Sequence, residues 1–199
     1  MNGRWLYQLC IISILPFLLT GCVAVAVVAG AGAGVAGETI THDNRSVSQQ
    51  FTDRSISDKA QNALFYDPQL SGKSHISVAT YNGVVLLIGQ VQTADLKQHA
   101  QDVVSAVKGV KRVYNELAVS DSASFFSNVD DSWLTTKVKT MMVGRKELES
   151  SHIKVITDNG VVYLMGSVSP EQAALAADTA RRVKGVVRVV EVFEYAPST

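Results

Sequence analysis

The sequence predicts an α+β fold with two tandem domains, each a three-stranded mixed sheet packed on two helices in the order α-β-β-α-β. Three observations support this prediction: an internal duplication, an Asn-Gly pair in each copy, and helical and strand periodicities that follow one another in the same order. The stretch SHISVATYNGVVLLIGQV (74–91) returns as SHIKVITDNGVVYLMGSV (151–168), and KGVKRVYNEL (108–117) returns as KGVVRVVEVF (184–193). Two matches in the same order at nearly the same offset indicate a repeated structural unit.

Residues 1–21 are predicted to be a lipoprotein signal peptide. Arg4 is followed by the apolar stretch LCIISILPFLL, which is too short to span a bilayer comfortably. The segment Leu19-Thr20-Gly21-Cys22 that follows resembles the bacterial lipobox, in which the cysteine is acylated and the signal is cut before it. The alternative is an ordinary signal peptide that happens to contain Cys22. By the same resemblance, the non-acidic Val23 implies sorting to the outer membrane.

Residues 22–53 are predicted to be a lipidated N-terminus and a flexible tether. The tract VAVAVVAGAGAGVAG is too rich in glycine for a confident transmembrane helix, and the polar stretch that follows continues the tether. Cys10 leaves with the signal, so the mature chain keeps only Cys22 and cannot form an internal disulfide. The formal net charge is zero, so no overall field attracts nucleic acid.

Each copy is predicted to begin with an amphipathic helix that leads into a β-hairpin. The helices run from Ile56 to Phe65 and from Trp133 to Val143. The pairs Asn82-Gly83 and Asn159-Gly160 predict two-residue type I′ turns, because both turn positions need a positive φ, which asparagine and glycine tolerate. The strands after these turns, VVLLIGQV and VVYLMGSV, contain too little polar interruption for a strand exposed on one whole face. Gly89 and Gly166 within them indicate a bulge or a close approach by another element.

A second helix and a β-branched strand complete each copy. Thr93 begins the helix of copy one, and Ser169 is the N-cap in copy two, with Pro170 at the first helical position and Gln172 completing a capping box. Both helices are predicted to end at a Lys-Gly pair whose glycine supplies a left-handed C-terminal cap. These pairs are Lys108-Gly109 and Lys184-Gly185. The predicted units are domain 1 at 54–120, a linker at 121–130, and domain 2 at 131–195.

The sequence predicts neither an active site nor a metal or cofactor site. The four histidines form no close ligand pair on one element, and they are His42, His75, His99 and His152. The chain has no nucleophile elbow and no glycine-rich phosphate loop. It also has no basic stripe of the kind that binds nucleic acid.

The segment DSWLTTKVKTMM (131–142) raises a different question. Its apolar stripe consists of Leu134, Val138, Met141 and Met142. Trp133 lies about 100° from Leu134, on a flank with Lys137, Thr140 and Gly144. From the residues alone, Trp133 either caps the core or the interdomain contact, or it faces a membrane, where tryptophan favours the interface.

The repeated pattern resembles a known family. An early helix, I-x-V, N-G-V-V, L-x-G-x-V and then K-G-V-x-x-V resemble the BON domain, named for bacterial osmotically induced proteins and nodulation. Two such domains behind a lipobox resemble the outer-membrane lipoproteins of this family, with WLTTKVK as the most specific local match. The closest rival is a soluble two-domain periplasmic protein that is osmotically induced, and Cys22 argues against it.

This resemblance implies a non-enzymatic protein that binds anionic phospholipid, such as phosphatidylglycerol or cardiolipin, through the first helix of domain 2. It also implies a palmitate-bearing anchor at Cys22, a periplasmic-side location, and roles in outer-membrane integrity, cell division and stress response. The expected lipid contacts are Trp133, Leu134, Lys137, Thr140, Met141 and Gly144. Lys139 is expected within reach of headgroups, while Leu134 is also expected in the core with Val138 and Met142. The alternative function is an envelope adaptor that binds an outer-membrane assembly or stress-response protein.

Domain 1 is expected to act mainly as a scaffold that packs on domain 2. Its first helix offers a small apolar stripe without a tryptophan, made of Ile56, Ala60, Ala63 and Leu64. We therefore expect isolated domain 1 to bind vesicles weakly.

Overall fold

The computed structural model describes residues 45–120 and 131–195. The signal peptide, Cys22, most of the tether and the linker lie outside the described residues. The predictions for those segments therefore remain predictions, and the fold below concerns the two repeated copies.

Both copies contain the predicted elements in the predicted order. Copy one consists of α1 (Val47–Phe65), β1 (Ser74–Tyr81), β2 (Val84–Val91), α2 (Ala94–Ser105), β3 (Arg112–Asn115) and β4 (Ala118–Val119). Copy two consists of α3 (Asp131–Val143), a 3₁₀ turn (Ser150–His152), β5 (Ile153–Asp158), β6 (Val161–Val168), α4 (Pro170–Arg181) and β7 (Arg188–Tyr195). The central strand of each sheet runs antiparallel to the first strand and parallel to the last. The α+β class and the mixed sheets are thus confirmed.

The last strand of copy one is interrupted. β3 and β4 pair with β2 in one continuous register, in which Leu87 lies opposite Asn115 and Gln90 lies opposite Ala118. At the break, the Asn115 side chain donates to the Lys97 carbonyl over 2.7 Å and accepts from the Leu117 N–H over 3.3 Å. β3 and β4 are therefore one strand broken where a side chain binds the backbone, and β7 of copy two has no such break.

The first helix begins well before the predicted start at Ile56. Its N-cap is Ser46, whose hydroxyl accepts from the Gln49 N–H over 3.2 Å, and the helix then runs without interruption to Phe65. Residues 47–53, which were predicted to belong to the flexible tether, are therefore helical. The polar composition of this stretch did not indicate a helix, because the helix is stabilised by contacts with residues distant in the sequence.

Those contacts come from one aspartate in each copy. Asp53 accepts from the backbone N–H groups of Asn82 and Gly83 over 2.7 and 2.9 Å. Asp131 accepts from the equivalent groups of Asn159 and Gly160 over 2.8 and 3.0 Å. Each first helix is thereby fixed to the hairpin turn of its own sheet by charge-assisted hydrogen bonds, which are stronger than neutral ones. Asp53 also pairs with Arg45.

We expect Asp53→Ala to lower the free energy of unfolding by on the order of 3 kcal/mol, because two backbone donors lose a charged acceptor. Asp53 is only 3% exposed, so water cannot readily replace its carboxylate. Urea denaturation of the variant would measure the change. Asp58→Ala is the matched control, since Asp58 is exposed on the same helix. Equal denaturation midpoints for the two variants would contradict this role of Asp53.

The turn and close-approach predictions are confirmed. Both residues of each hairpin turn have positive φ, namely Asn82 (52°), Gly83 (80°), Asn159 (52°) and Gly160 (75°). A Cβ on Gly89 would lie 2.0 Å from the His75 carbonyl oxygen, and one on Gly166 would lie 2.4 Å from the His152 carbonyl oxygen. In copy one the approaching residue lies in the neighbouring strand β1, and in copy two it is the last residue of the 3₁₀ turn, directly before β5.

The predicted caps of the second helices are only partly correct. Thr93 and Ser169 do cap them, accepting from Leu96 N–H over 3.2 Å and Gln172 N–H over 3.3 Å. The Gln172 side chain does not complete the capping box with Ser169, because its amide nitrogen donates to the Glu147 carbonyl over 2.8 Å. Its amide oxygen accepts from the backbone of the same loop.

The Lys-Gly pairs do not end the second helices. Gly109 and Gly185 have φ of 101° and 106°, but α2 and α4 end earlier, at Ser105 and Arg181. In copy one the Val110 N–H donates to the Val107 carbonyl over 3.1 Å. Gly109 is therefore the third residue of a separate turn, where a positive φ is required in type II geometry. The equivalent turn recurs in copy two.

Each sheet is buried on both faces. One face packs against its own two helices, and the other face packs against the sheet of the other copy. This shared cluster consists of Ala79, Tyr81, Val84, Leu86, Ile88, Tyr163, Met165 and Val192. Two sheets packed face to face, each covered by helices on its far side, explain why β2 and β6 contain so few polar residues. Domain 1 therefore packs on domain 2, as expected.

Polar contacts border this interdomain cluster. The Tyr81 hydroxyl donates to the His152 carbonyl over 3.3 Å, and Lys154 Nζ donates to the Thr80 carbonyl over 3.2 Å. Within the cluster, burial raises the pKa of Tyr163 to about 12, and the negative charges of Glu116 and Asp158 act in the same direction. The Tyr163 hydroxyl is thus neutral at physiological pH.

Candidate functional site

The candidate site is the exposed side of α3. The residues on the buried side of this helix belong to the core and are not part of the site. Leu134, Val138 and Met142 are each at most 1% exposed and belong to the core of copy two. The expectation that Leu134 contacts lipid is wrong, because its side chain lies beneath the helix. Met141, which its spacing placed in the apolar stripe and the expected lipid contacts placed at the surface, is half exposed.

Trp133 lies on the accessible flank of α3. It is 53% exposed and belongs to none of the buried clusters. Lys137 Nζ lies 3.9 Å from the centroid of the Trp133 ring, within the range of a cation–π interaction. This exposure argues against the alternative that Trp133 caps the core or fills the interdomain contact. It also places an aromatic ring and an ammonium group together at the surface.

The remaining predicted contacts lie toward the end of the same helix. Thr140 is exposed, and its hydroxyl donates to the Thr136 carbonyl over 2.9 Å. The Gly144 N–H donates to the Thr140 carbonyl over 3.0 Å and ends the helix. Val143, which sequence reasoning missed, is exposed beside them.

Thr140, Met141 and Gly144 border a groove of about 450 Å³ between the end of α3 and α4. The groove also contains three cations that sequence reasoning missed: Arg145, Lys146 and Arg182. Only Arg145-Lys146, directly after Gly144, carried a local signal, because Arg182 reaches the groove from a different helix.

Asp178 organises two of these cations. It accepts from Arg145 Nη1 over 3.0 Å and from Arg182 Nε over 3.1 Å. These hydrogen bonds, from Arg182 first and then Arg145, lower the pKa of the Asp178 carboxyl. The aspartate therefore stays ionised at physiological pH and holds the two guanidinium groups side by side at the groove.

The equivalent surface of copy one lacks these features. Aligning the helices on Asp53 and Asp131 places Ser55 at the position of Trp133 and Ala63 at that of Met141. Of the predicted contact set, only Lys137 has an identical counterpart, Lys59. The surface built around Trp133 is thus specific to copy two.

Two further features of the described ranges, 45–120 and 131–195, bear on function. No helix within them combines the length and the hydrophobicity needed to cross a bilayer. No group of three or more histidine, cysteine, aspartate or glutamate side chains in these ranges is arranged to hold a metal ion.

Comparison with known families matches both copies. The BON domain model covers residues 52–121 and 130–197. The chain belongs to the BON family. The two matched BON domains coincide with the two repeated copies and begin close to the aspartates that fix their first helices.

Similar proteins of named families extend this result. The outer membrane lipoprotein DolP of Haemophilus influenzae is 40% identical over 177 residues, which is 89% of this chain and 90% of that protein. The 21 kDa hemolysin of Actinobacillus pleuropneumoniae is 37% identical over 77% of this chain and 79% of that protein. Osmotically-inducible protein Y of Escherichia coli is 31% identical over 77% of this chain and 78% of that protein. The chain is thus a DolP-like BON protein, and this homology supports an outer-membrane association.

Proposed function

We propose that this BON protein is a non-enzymatic lipoprotein that binds anionic phospholipid through the exposed side of α3. Acylated, palmitate-bearing Cys22 anchors it on the periplasmic side of the outer membrane. There it supports membrane integrity, with roles in cell division and stress response. The observation that carries the lipid-binding proposal is the exposed Trp133 ring with Lys137 stacked on it.

The physical argument rests on two properties of this surface. A tryptophan at the water–lipid boundary places its ring against acyl carbon while its N–H stays hydrated. Each basic residue near an anionic surface contributes on the order of 1 kcal/mol. The cations on and beside α3 are Lys137, Lys139, Arg145, Lys146 and Arg182. These five cations outnumber the four carboxylates on and beside α3, which are Asp131, Glu147, Glu149 and Asp178, so the surface favours anionic over neutral lipid.

Vesicle sedimentation tests this proposal. An unlipidated chain with both domains, residues 38–199, is expected to sediment with vesicles containing phosphatidylglycerol or cardiolipin and to remain soluble with phosphatidylcholine alone. Both domains are needed, because isolated domain 2 would expose Tyr163 and Met165 from the interdomain cluster. A protein adaptor would sediment with neither vesicle unless its protein partner were added. That outcome would replace lipid binding with the adaptor function.

We expect Cys22→Ala to remove the protein from outer-membrane fractions. Each buried acyl CH₂ contributes about 0.8 kcal/mol, so several chains on one residue form a stable anchor. Cys10→Ala is the matched control, since Cys10 lies within the predicted signal peptide. Cell fractionation measures both variants. If Cys22→Ala stays in the outer membrane even when combined with Trp133→Glu, the proposed anchor is wrong.

A further inference from the structure

A second cleft lies away from α3, where the first turns of α1 meet β5 of domain 2. It has a volume of about 420 Å³. The residues that matter here are Arg45, Val47, Phe51, Arg54, Thr80 and Lys154. Because Lys154 comes from copy two and the other lining residues come from copy one, the cleft is complete only when the two sheets are packed together.

Three cations line the cleft, and they come from different parts of the chain. Arg45 precedes α1 and stacks over the Tyr81 ring at 4.2 Å, where it also pairs with Asp53. Arg54 is exposed on α1. Lys154 extends from β5 across the domain boundary and donates to the Thr80 carbonyl. Asp53 is the one carboxylate in the lining, so the cleft carries a net positive charge.

The apolar part of the cleft consists of two exposed side chains of α1. Val47 and Phe51 lie one helical turn apart on α1, and they are 68% and 70% exposed. Exposed apolar side chains next to several cations match a ligand with an anionic head and a hydrocarbon portion. A free inorganic anion would use the cations but would leave Val47 and Phe51 without a role.

We infer that this cleft is a second phospholipid site, distinct from α3. Arg54 and Lys154 bind the phosphate of an anionic phospholipid headgroup, and Phe51 and Val47 contact the adjoining acyl chain. Arg45 is held by Asp53 and Tyr81 and adds positive charge to the wall of the cleft. Domain 1 thus takes part in lipid contact, but only together with Lys154 of domain 2.

Photocrosslinking of the full-length lipoprotein in nanodiscs tests this inference. The probes are photoactivatable phosphatidylglycerol and, as the neutral comparison, photoactivatable phosphatidylcholine. Adducts mapped by mass spectrometry are expected on the peptide that contains Phe51, and phosphatidylglycerol is expected to give the higher yield. This design rests on the acyl anchor proposed at Cys22: because that anchor keeps every variant in the disc, the adducts report local contact rather than overall membrane binding.

Arg54→Glu and Lys154→Glu are each expected to lower the phosphatidylglycerol adducts on α1 about fivefold or more, which corresponds to the loss of one basic contact near the surface. Lys108→Glu is the charge-matched control, since Lys108 is exposed and does not line the cleft. Phe51→Ser should also lower the yield, and it changes neither the charge nor the core. Trp133→Glu should lower adducts on α3 and leave those on α1 unchanged, which separates this site from the proposed function.

Two results would overturn the inference. The first is an α1 adduct yield that Arg54→Glu, Lys154→Glu and Phe51→Ser all leave unchanged in folded protein. The second is protection of Lys154 from amine acetylation by soluble glycerol phosphate without any phosphatidylglycerol adduct on α1. The latter result would assign the cleft to a soluble phosphate compound.

Discussion

Trp133→Glu is expected to weaken binding to phosphatidylglycerol vesicles about a hundredfold while leaving the fold intact. Withdrawing a large aromatic side chain from the interface removes about 2 kcal/mol, and the new carboxylate adds about 1 kcal/mol of repulsion from the anionic surface. The fold should survive because the core residues of α3, Leu134 and Val138, are not altered. Trp133→Phe should retain most of the binding.

The internal repeat provides the control for this variant. Asn62→Glu introduces the same charge at the exposed counterpart of Thr140 in copy one, about two helical turns beyond Arg54 and outside the cleft. We expect it to bind nearly as well as the native chain, because domain 1 lacks the α3 surface. Flotation with vesicles and circular dichroism on the same samples measure binding and folding together. Unchanged binding by folded Trp133→Glu, or equal losses in the two variants, would contradict the assignment of lipid binding to α3.

Lys137 makes a smaller contribution that depends on salt. Lys137→Glu should weaken binding chiefly at low ionic strength, because exposed charges are screened as the salt concentration rises. It also removes the cation from the face of the Trp133 ring, an interaction of about 0.5–1 kcal/mol at an exposed site. The salt dependence therefore separates the charge of this surface from its apolar part.

Met165→Asp is expected to lower the free energy of unfolding by about 4 kcal/mol or more. Met165 is fully buried between the two sheets, so the variant places a carboxylate in an apolar layer without a partner. Because that layer belongs to both copies, the variant should also separate the unfolding of domain 1 from that of domain 2.

Urea denaturation followed by circular dichroism and by Trp133 fluorescence measures both effects. The two signals should coincide in the native chain and diverge in Met165→Asp. Met141→Asp is the matched control, since Met141 is half exposed and outside the interdomain cluster. Denaturation midpoints that are the same for the two variants would contradict a shared core.

Local sequence patterns predicted the elements whose stability is mainly local. The Asn-Gly turns, the caps at Thr93 and Ser169, and the order of elements all depend on residues within a few positions of one another. The start of α1 was missed because Asp53 is fixed by the turn at Asn82, far along the chain. The apolar sequences of β2 and β6 predicted that both faces of each strand are covered. They could not predict that the two sheets cover each other.

The residues of the candidate site were likewise predicted only where their position depends on local sequence. Helical periodicity was sufficient to place Trp133 and Lys137 on an exposed flank, because that geometry is set within α3. It could not place Arg182, which reaches the groove beside Gly144 from α4. The inclusion of Leu134 among the lipid contacts confused proximity in sequence with a shared face, since adjacent helical residues point about 100° apart.

The layer shared by the two sheets also has an evolutionary consequence. After the ancestral gene duplicated, the inner faces became mutually dependent, because losing either copy would leave the other with an exposed apolar sheet. The copies differ on both sides of this layer: Leu86 and Tyr163 occupy equivalent inner positions, and Ser55 and Trp133 occupy equivalent outer positions. Selection therefore acts on the two copies together rather than on a single copy. New binding surfaces can arise on the outer helices, which lie outside the shared layer.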